Sequence, residues 1–393
     1  MIGFDVNEER IAALGEGQSH VDDVSDSVLA TALRNGFSPT DNEVALASCN
    51  ALFICVPSPL GINRQPDLSY IEAAAATVSR VARPGVVVSL ESTTYPGTTD
   101  DVLVPAVTKV GLRVDTDVFV AFSPERVNPG GSMENVAIPK VVGGVTPESG
   151  AVAAAAYRRI FDNVHVVSTA RAAEMTKLLE NTYRAVNIAL VNEMAQLAHQ
   201  LDIDLWEVID AAATKPFGFQ PFYPGPGVGG HCIPLDPQFL AWRAREAKFA
   251  TRFIDTAEQI NTAMPAYVAE RISDLLNERG LPVFGTKILG VGIAYKPNIA
   301  DDRESASIAV LELLQRRGAD VAVVDPVVGN ERITQWGFEP ADLTEANDFS
   351  IAVLLTDHSE FDLADLADRA PLVFDTRGAY RARGIERDNV VAL

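Results

Sequence analysis

The spacing of apolar residues changes twice along the chain and divides it into three blocks. Over residues 1–168, short apolar runs (ALFICVPSP, VVVSLEST, VFVAFSPE, PKVVGG and HVVS) alternate with stretches of helical spacing. Alternation of this kind predicts an α/β domain with a mainly parallel sheet. Over 169–284 the text becomes helical. AAEMTKLLENTYRAVNIALVNEMAQLAHQL carries Met175, Leu179, Val186, Leu190, Leu197 and Leu201 at helical spacing and contains neither Pro nor Gly. It predicts one helix of about 30 residues, long enough to span two modules or a subunit interface. Over 285–393, KILGVGIAY, a helix from Glu304 and DVAVVDP repeat strand–helix–strand, with Asp325 closing the second strand. This predicts a second, smaller Rossmann-like domain.

The opening MIGFDVNEER reads as a strand over Ile2–Val6, an acid at Asp5 and a helix from Glu8. That is the form of the second strand of a dinucleotide-binding domain, whose acid follows a glycine-rich turn by roughly 20 residues. The first strand and that turn do not precede it. In the sheet order 3-2-1-4-5-6 the first strand is central, so the expectation is that roughly 20–30 further residues belong upstream.

Composition narrows the class. A formal charge of −21 and no long basic patch argue against a nucleic-acid or anionic-membrane partner. No apolar run reaches spanning length, and the acidic start does not read as a signal peptide. Cys49, Cys55 and Cys232 form neither an even framework nor a metal-type spacing, so no metal is expected and a reducing cytoplasm is.

The strongest local signal is PFYPGPGVGGHCIPLDPQF. Its glycines let main-chain N–H groups converge on a ligand, and a following helix start favours a thiolate at Cys232. A structural loop holding a buried thiol is the plainer alternative. Asp236 with Pro237 reads as an N-cap followed by proline at the first helical position, and a catalytic role is open beside it. His231 is given no catalytic role. Lys177 and Asn181, four apart on the long helix, share a face away from Met175 and Leu179, where a solvated polar face is the ordinary meaning. Glu125 in SPER, Thr93 and Thr94 in ESTTYPGTT, and VPSP all follow strands, where α/β sheets bind ligands.

FDVNEER, CVPSP, ESTTYPGTT, SPERVNPG, EMTKLLENTYRAVNIALVNE, GPGVGGHCIPLDP, IAYKPNIADDRES and FDTRG occur in this order over the whole chain. The set resembles the UDP-glucose/GDP-mannose dehydrogenase family, NAD-dependent enzymes that oxidise the C6 alcohol of a nucleotide sugar to a carboxylate. KPFGFQPFYPGPGVGGHCIPLDP most resembles the branch acting on UDP-N-acetylhexosamines, with UDP-N-acetylglucosamine the expected substrate. The resemblance implies Cys232 as nucleophile, passing through a thiohemiacetal and a thioester. It implies Lys177 and Asn181 as stabilisers of the reacting oxygen, Glu125 as activator of the hydrolytic water, and Asp236 and Thr94 as orienting groups. For NAD it implies Asp5 at the ribose, with Val56, Pro57, Ser58, Pro59 and Thr94 lining the cleft and Arg303 reaching in. For the UDP-sugar it implies Lys177, Asn181, Tyr223, Gly225, Gly227, Gly229, Tyr295, Lys296 and Arg377. A homodimer through the long helix is expected, as is a role in polysaccharide synthesis. In the family a second glutamate often stands four residues after the first; Pro129 occupies that place here, as in the N-acetylhexosamine branch.

Two other classes remain open on sequence alone. A β-hydroxyacid dehydrogenase shares the Rossmann-plus-long-helix plan and a lysine on that helix, but has no need of Cys232 or of a second Rossmann-like domain. UDP-glucose could be the substrate, and a remnant that binds UDP-sugar but not NAD would be no enzyme at all.

Overall fold

In the computed structural model, which describes residues 1–21, 24–61, 64–127 and 135–393, the apolar runs of the first block become strands. β1 (Ile2–Phe4) pairs in parallel with β2 (Ser38–Thr40). β3 (Ala51–Ile54), β4 (Val86–Leu90), β5 (Val118–Phe122), β6 (Lys140–Gly144) and β7 (Val164–Val167) form a five-stranded sheet in that order. All its pairings are parallel except β5 with β6. β4 is buried at every residue, which is why it reads as a continuous apolar run rather than an alternating one. Among the described residues β1 pairs only with β2, and the two sheets share no ladder. Pro129 lies outside the described residues.

The antiparallel step has a consequence for chemistry. Because β6 runs against β5, its first residue, Lys140, lies at the end of the sheet where β3, β4 and β5 finish. Two glycines fix what packs there. A Cβ on Gly143 would stand 2.1 Å from the Thr169 carbonyl oxygen, and one on Gly144 would stand 2.1 Å from the Gly150 nitrogen. Backbone therefore touches backbone at both positions, and any side chain would drive the following helices off the sheet.

The α-helices among the described residues are α1 (Glu8–Gly15), α2 (Asp26–Arg34), α3 (Ser69–Val81), α4 (Val104–Thr108), α5 (Pro147–Tyr157), α6 (Ala170–Gln200), α7 (Leu205–Ala213), α8 (Cys232–Glu246), α9 (Arg252–Asn277) and α10 (Ala306–Arg316), and three short ones follow, α11 (Asn330–Gln335), α12 (Leu363–Arg369) and α13 (Ala379–Ala382). The chain forms two compact units, residues 1–180 with 238–248, and residues 181–237 with 249–393; α6 and α8 each pass from one to the other. The second unit contains an all-parallel sheet of β8 (Lys287–Val291), β9 (Asp320–Val324), β10 (Glu339–Pro340), β11 (Ile351–Leu354), β12 (Val373–Asp375) and β13 (Val390–Ala392), in the order 10-9-8-11-12-13. The fold is thus α/β, with an N-terminal and a C-terminal Rossmann-like domain and a central helical region. No helix among the described residues is long and apolar enough to cross a membrane.

Three expectations change. The predicted helix start at Asp236 is wrong: α8 begins at Cys232, so Pro237 lies inside it and Asp236 is no N-cap. Pro234 is tolerated because first-turn N–H groups have no intrahelical acceptor. The helix expected from Glu304 begins at Ala306, since Glu304 holds φ 51°, outside helical space. The long helix forms, with 31 residues, but its apolar stripe is the exposed one. Leu179 and Leu190 are more than half exposed, whereas Lys177 and Asn181 are buried at 6% and 8%.

Candidate active site

In the first unit, Glu125 follows β5 and meets α6 directly. Lys177 Nζ donates to the Glu125 carbonyl oxygen at 2.7 Å and to its carboxylate at 3.1 Å. The other carboxylate oxygen accepts from the Val127 N–H. Arg126 turns the opposite way, donating to the Pro139 carbonyl and pairing with Glu180 one turn further along α6. A buried ammonium facing a half-exposed carboxylate gives a cation and a proton acceptor in one place.

The ESTTYPGTT loop is fastened to the same helix by a residue that sequence reasoning passed over. Glu174 is fully buried and accepts from the Gly97 N–H at 2.6 Å and from the Thr99 N–H and hydroxyl at 2.9 and 2.7 Å. Burial raises its carboxyl above the ordinary range against those three bonds. Thr94 is buried and donates to the Thr98 hydroxyl. The VPSP loop is tied to the same segment, the Val56 N–H donating to Ser92 at 2.8 Å, and Ser58 is buried beside Pro57 and Pro59.

Asp5 ends β1. Its carboxylate accepts from the Asn7 N–H at 2.9 Å and from Arg10 at 2.6 Å. Burial pushes this carboxyl up, but those bonds outweigh it and hold it below the ordinary value. An ionised carboxylate at a strand's carboxyl end fits a ribose diol, which needs acceptors. The VPSP and ESTT loops follow β3 and β4 at the matching end, so these residues fit a dinucleotide.

In the second unit, Cys232 is exposed at the first position of α8, not the buried thiol of the plainer alternative. A helix start favours an anion there. One turn on, Asp236 accepts from Asn181 Nδ2 at 2.5 Å, both residues being buried. The glycines ahead of the thiol are held close by other elements. The Gly225 N–H donates to Asn192, which in turn donates to Asn261. A Cβ on Gly225 would lie 2.8 Å from Arg377 Nη1, on Gly227 2.9 Å from Ala306, and on Gly229 2.9 Å from Tyr295. Gly230, at φ 79°, lies against the Tyr295 ring. Asn192 and Asn261 are further residues that no local motif announced.

Tyr295 has its hydroxyl pushed up by burial and by the charges of Asp301 and Cys232, and Lys296 beside it is half-buried. Arg377 donates to the Leu355 carbonyl at 2.5 Å, and burial lowers its guanidinium to about 10 despite Asp375 and Asp357. Arg303 forms a two-bond pair with Asp301 at 2.6 and 2.9 Å. Tyr223 stacks on Trp206 at 5.4 Å and donates to Asp210. Among the described residues no three His, Cys, Asp or Glu side chains group as a metal site.

Comparison with known proteins covers the same ground. Three domain profiles of one family match, described as the UDP-glucose/GDP-mannose dehydrogenase family: its NAD binding domain over residues 1–161, its central domain over 171–263 and its UDP binding domain over 289–382. The chain is 35% identical over 365 residues to the UDP-N-acetyl-D-glucosamine 6-dehydrogenase of Pseudomonas aeruginosa, covering 92% of this chain and 86% of that protein. It is 35% identical to the UDP-N-acetyl-D-mannosamine dehydrogenase of Pyrococcus horikoshii, covering 92% and 84%. Among solved structures, a UDP-D-ManNAc dehydrogenase from Pyrococcus horikoshii superposes with a TM-score of 0.86 at 32% identity, covering 96% of this chain and 89% of that one. A UDP-glucose dehydrogenase from Pyrobaculum islandicum gives 0.85 at 27%, covering 98% and 90%.

Proposed function

This chain belongs to the UDP-glucose/GDP-mannose dehydrogenase family, NAD-dependent nucleotide-sugar 6-dehydrogenases that oxidise UDP-sugars, and on that premise we propose that it carries the C6 alcohol of a UDP-N-acetylhexosamine, UDP-N-acetylglucosamine foremost, to the carboxylate. The observation that carries the proposal is the Cys232 thiol at the start of α8, one turn before an Asp236 bonded to Asn181. A single two-electron oxidation has no use for a thiol. Two successive oxidations do, because covalent capture prevents the intermediate aldehyde from escaping.

NAD would supply the hydride acceptor for each of the two oxidations. Asp5 would hold its ribose, and Val56, Pro57, Ser58, Pro59 and Thr94 would line its cleft, with Arg303 contributing. On the protein's side, Cys232 thiolate adds to the aldehyde carbon to give a thiohemiacetal, and loss of the second hydride leaves a thioester. Water then adds to the acyl carbon, the C–S bond breaks, and the electron pair returns to Cys232 as thiolate. Glu125 takes the proton of that water. Lys177 and Asn181 donate to the oxygen on which charge develops, and Asp236 orients Asn181. Tyr223, Gly225, Gly227, Gly229, Tyr295, Lys296 and Arg377 hold the UDP-sugar. Residues 1–168 form the NAD domain, 169–284 the central domain carrying the thiol, and 285–393 the UDP-sugar domain.

The N-acetyl preference is supported by the relatives at 35% identity, whose names specify N-acetylated sugars. We assign the protein to a homodimer built on α6, to the cytoplasm, and to the supply of uronates for polysaccharide synthesis. NADH formation followed against a panel of UDP-sugars tests the substrate. UDP-N-acetylglucosamine or an epimer is expected to give the highest kcat/KM, and a higher value for UDP-glucose than for every N-acetylated sugar overturns the assignment.

A further inference from the structure

The turn that presents Glu125 is laced to the start of β6 by three bonds. Ser123 Oγ donates to the Val141 carbonyl at 2.7 Å, Arg126 Nη1 to the Pro139 carbonyl at 2.6 Å, and Lys140 Nζ to the Pro124 carbonyl at 3.2 Å. Only the last carries a buried charge. Lys140 Nζ also meets Glu91 Oε2 at 2.6 Å, the two side chains being 7% and 16% exposed. The other Glu91 oxygen accepts from Tyr157 at 2.8 Å, and Tyr157 meets Ser89 as well. Lys140 Nζ lies 5.3 Å above the ring centroids of Tyr157 and Phe161.

A pair this buried is a poor stabiliser. Desolvation of two charges commonly cancels their attraction, and apolar replacements of both are often neutral. What the pair does supply is a fixed direction. Glu91 and Tyr157 orient the Lys140 ammonium, which donates as well to the carbonyl immediately before Glu125.

We infer that Lys140, oriented by Glu91, is a positioning residue for Glu125: it holds the Pro124–Glu125 peptide so that the Glu125 carbonyl and carboxylate both face Lys177. The inference rests on the proposed role of Glu125 in thioester hydrolysis. Misplacing a catalytic group by about 1 Å can cost on the order of a hundredfold, so the step that slows is the attack of water on the Cys232 thioester. Formation of the thioester is spared.

The test uses the full chain with NAD and UDP-N-acetylglucosamine. E91Q/K140M removes both buried charges together, K140R keeps a cation, and E125Q reports on the underlying reading. Each variant is assayed for kcat, for both KM values, and for the fraction of protein carrying an acyl adduct on Cys232 in acid-quenched steady-state samples, read by intact mass. E91Q/K140M is expected to lose about tenfold in kcat, with KM values within about twofold and adduct accumulating as it does in E125Q. K140R is expected to recover most of the rate. Where the double variant does not fold, E91Q alone is expected to show the adduct to a smaller extent, and its absence overturns the inference. If E125Q accumulates adduct and E91Q/K140M turns over like wild type, the pair is structural only and the inference fails by itself. If E125Q turns over normally without adduct, the role of Glu125 and this inference fail together.

Discussion

Asn181 donates from Nδ2 to Asp236 Oδ2 at 2.5 Å, joining two buried side chains that lie 55 residues apart in the chain. The bond fixes which way the amide faces, so the remaining N–H of Asn181 is aimed rather than free to rotate. Asp236→Ala leaves that amide buried and unsatisfied and is expected to cost about 1–3 kcal/mol of stability. Asp236→Asn can still accept the bond and should melt several degrees above the alanine variant. Differential scanning calorimetry of the two variants checks this; equal melting temperatures would contradict it.

Gly230 holds φ 79° with the Tyr295 ring 2.7 Å from where a Cβ would stand. Gly230→Ala is expected to cost about 1–2 kcal/mol in backbone strain and to push the Tyr295 ring aside. Because that ring lies in the proposed substrate loop, KM for the UDP-sugar should rise more than kcat falls. A variant with wild-type KM and stability would show that the close approach is incidental.

Asp325, which directly follows β9, shows what the second Rossmann-like domain does with its acid. Its carboxylate accepts from the N–H groups of Ile293, Ala294, Val327 and Val328 and from His358 Nε2. Burial pushes its carboxyl up, yet the bonds from His358 and the backbone prevail and hold it below the ordinary 3.8. A carboxyl depressed in the folded state contributes stability above its unfolded pKa and loses it as pH falls through the folded value. Stability should therefore drop below about pH 4. The part of that drop due to this residue should vanish in Asp325→Asn, which is itself destabilised at neutral pH. Urea midpoints measured from pH 7 to pH 3 test it; an unchanged acid slope in the variant would exclude Asp325 as a contributor.

The exposed Leu190 and Leu197 of α6, with Leu201 just beyond its end, form a stripe that a lone chain would leave in water. Leu190→Glu with Leu197→Glu is expected to shift the protein from dimer to monomer in light scattering, without loss of helix by circular dichroism. A wild-type protein that is monomeric at micromolar concentration would remove the basis for the dimer.

Much of this was legible in the chain, and the exceptions share a cause. The strands over ALFIC, VVVSL, VFVAF and KILGV follow from apolar runs, and α6 from a 3.6-residue period unbroken by Pro or Gly. Its burial was inverted because periodicity identifies an apolar face without saying what covers it: the polar Lys177 and Asn181 are inside, while Leu179, Leu190 and Leu197 are outside. Asp236 resembled a cap because Asp-Pro is a common helix start, whereas Pro234 in a first turn lets α8 begin at Cys232. Glu174, Lys140, Glu91 and Asn192 escaped notice because their partners lie 16 to 77 residues away, beyond the reach of any local pattern.

The central claim is that Cys232 captures an aldehyde between two oxidations. It is tested most directly by counting NADH formed per molecule of UDP-N-acetylglucosamine consumed, by wild type and by Cys232→Ala. The account predicts two NADH and a uronate for the wild type, and loss of that turnover in the variant with UDP-sugar binding retained. One NADH per sugar with free aldehyde as the final product, or two NADH from the variant at the wild-type rate, would contradict it.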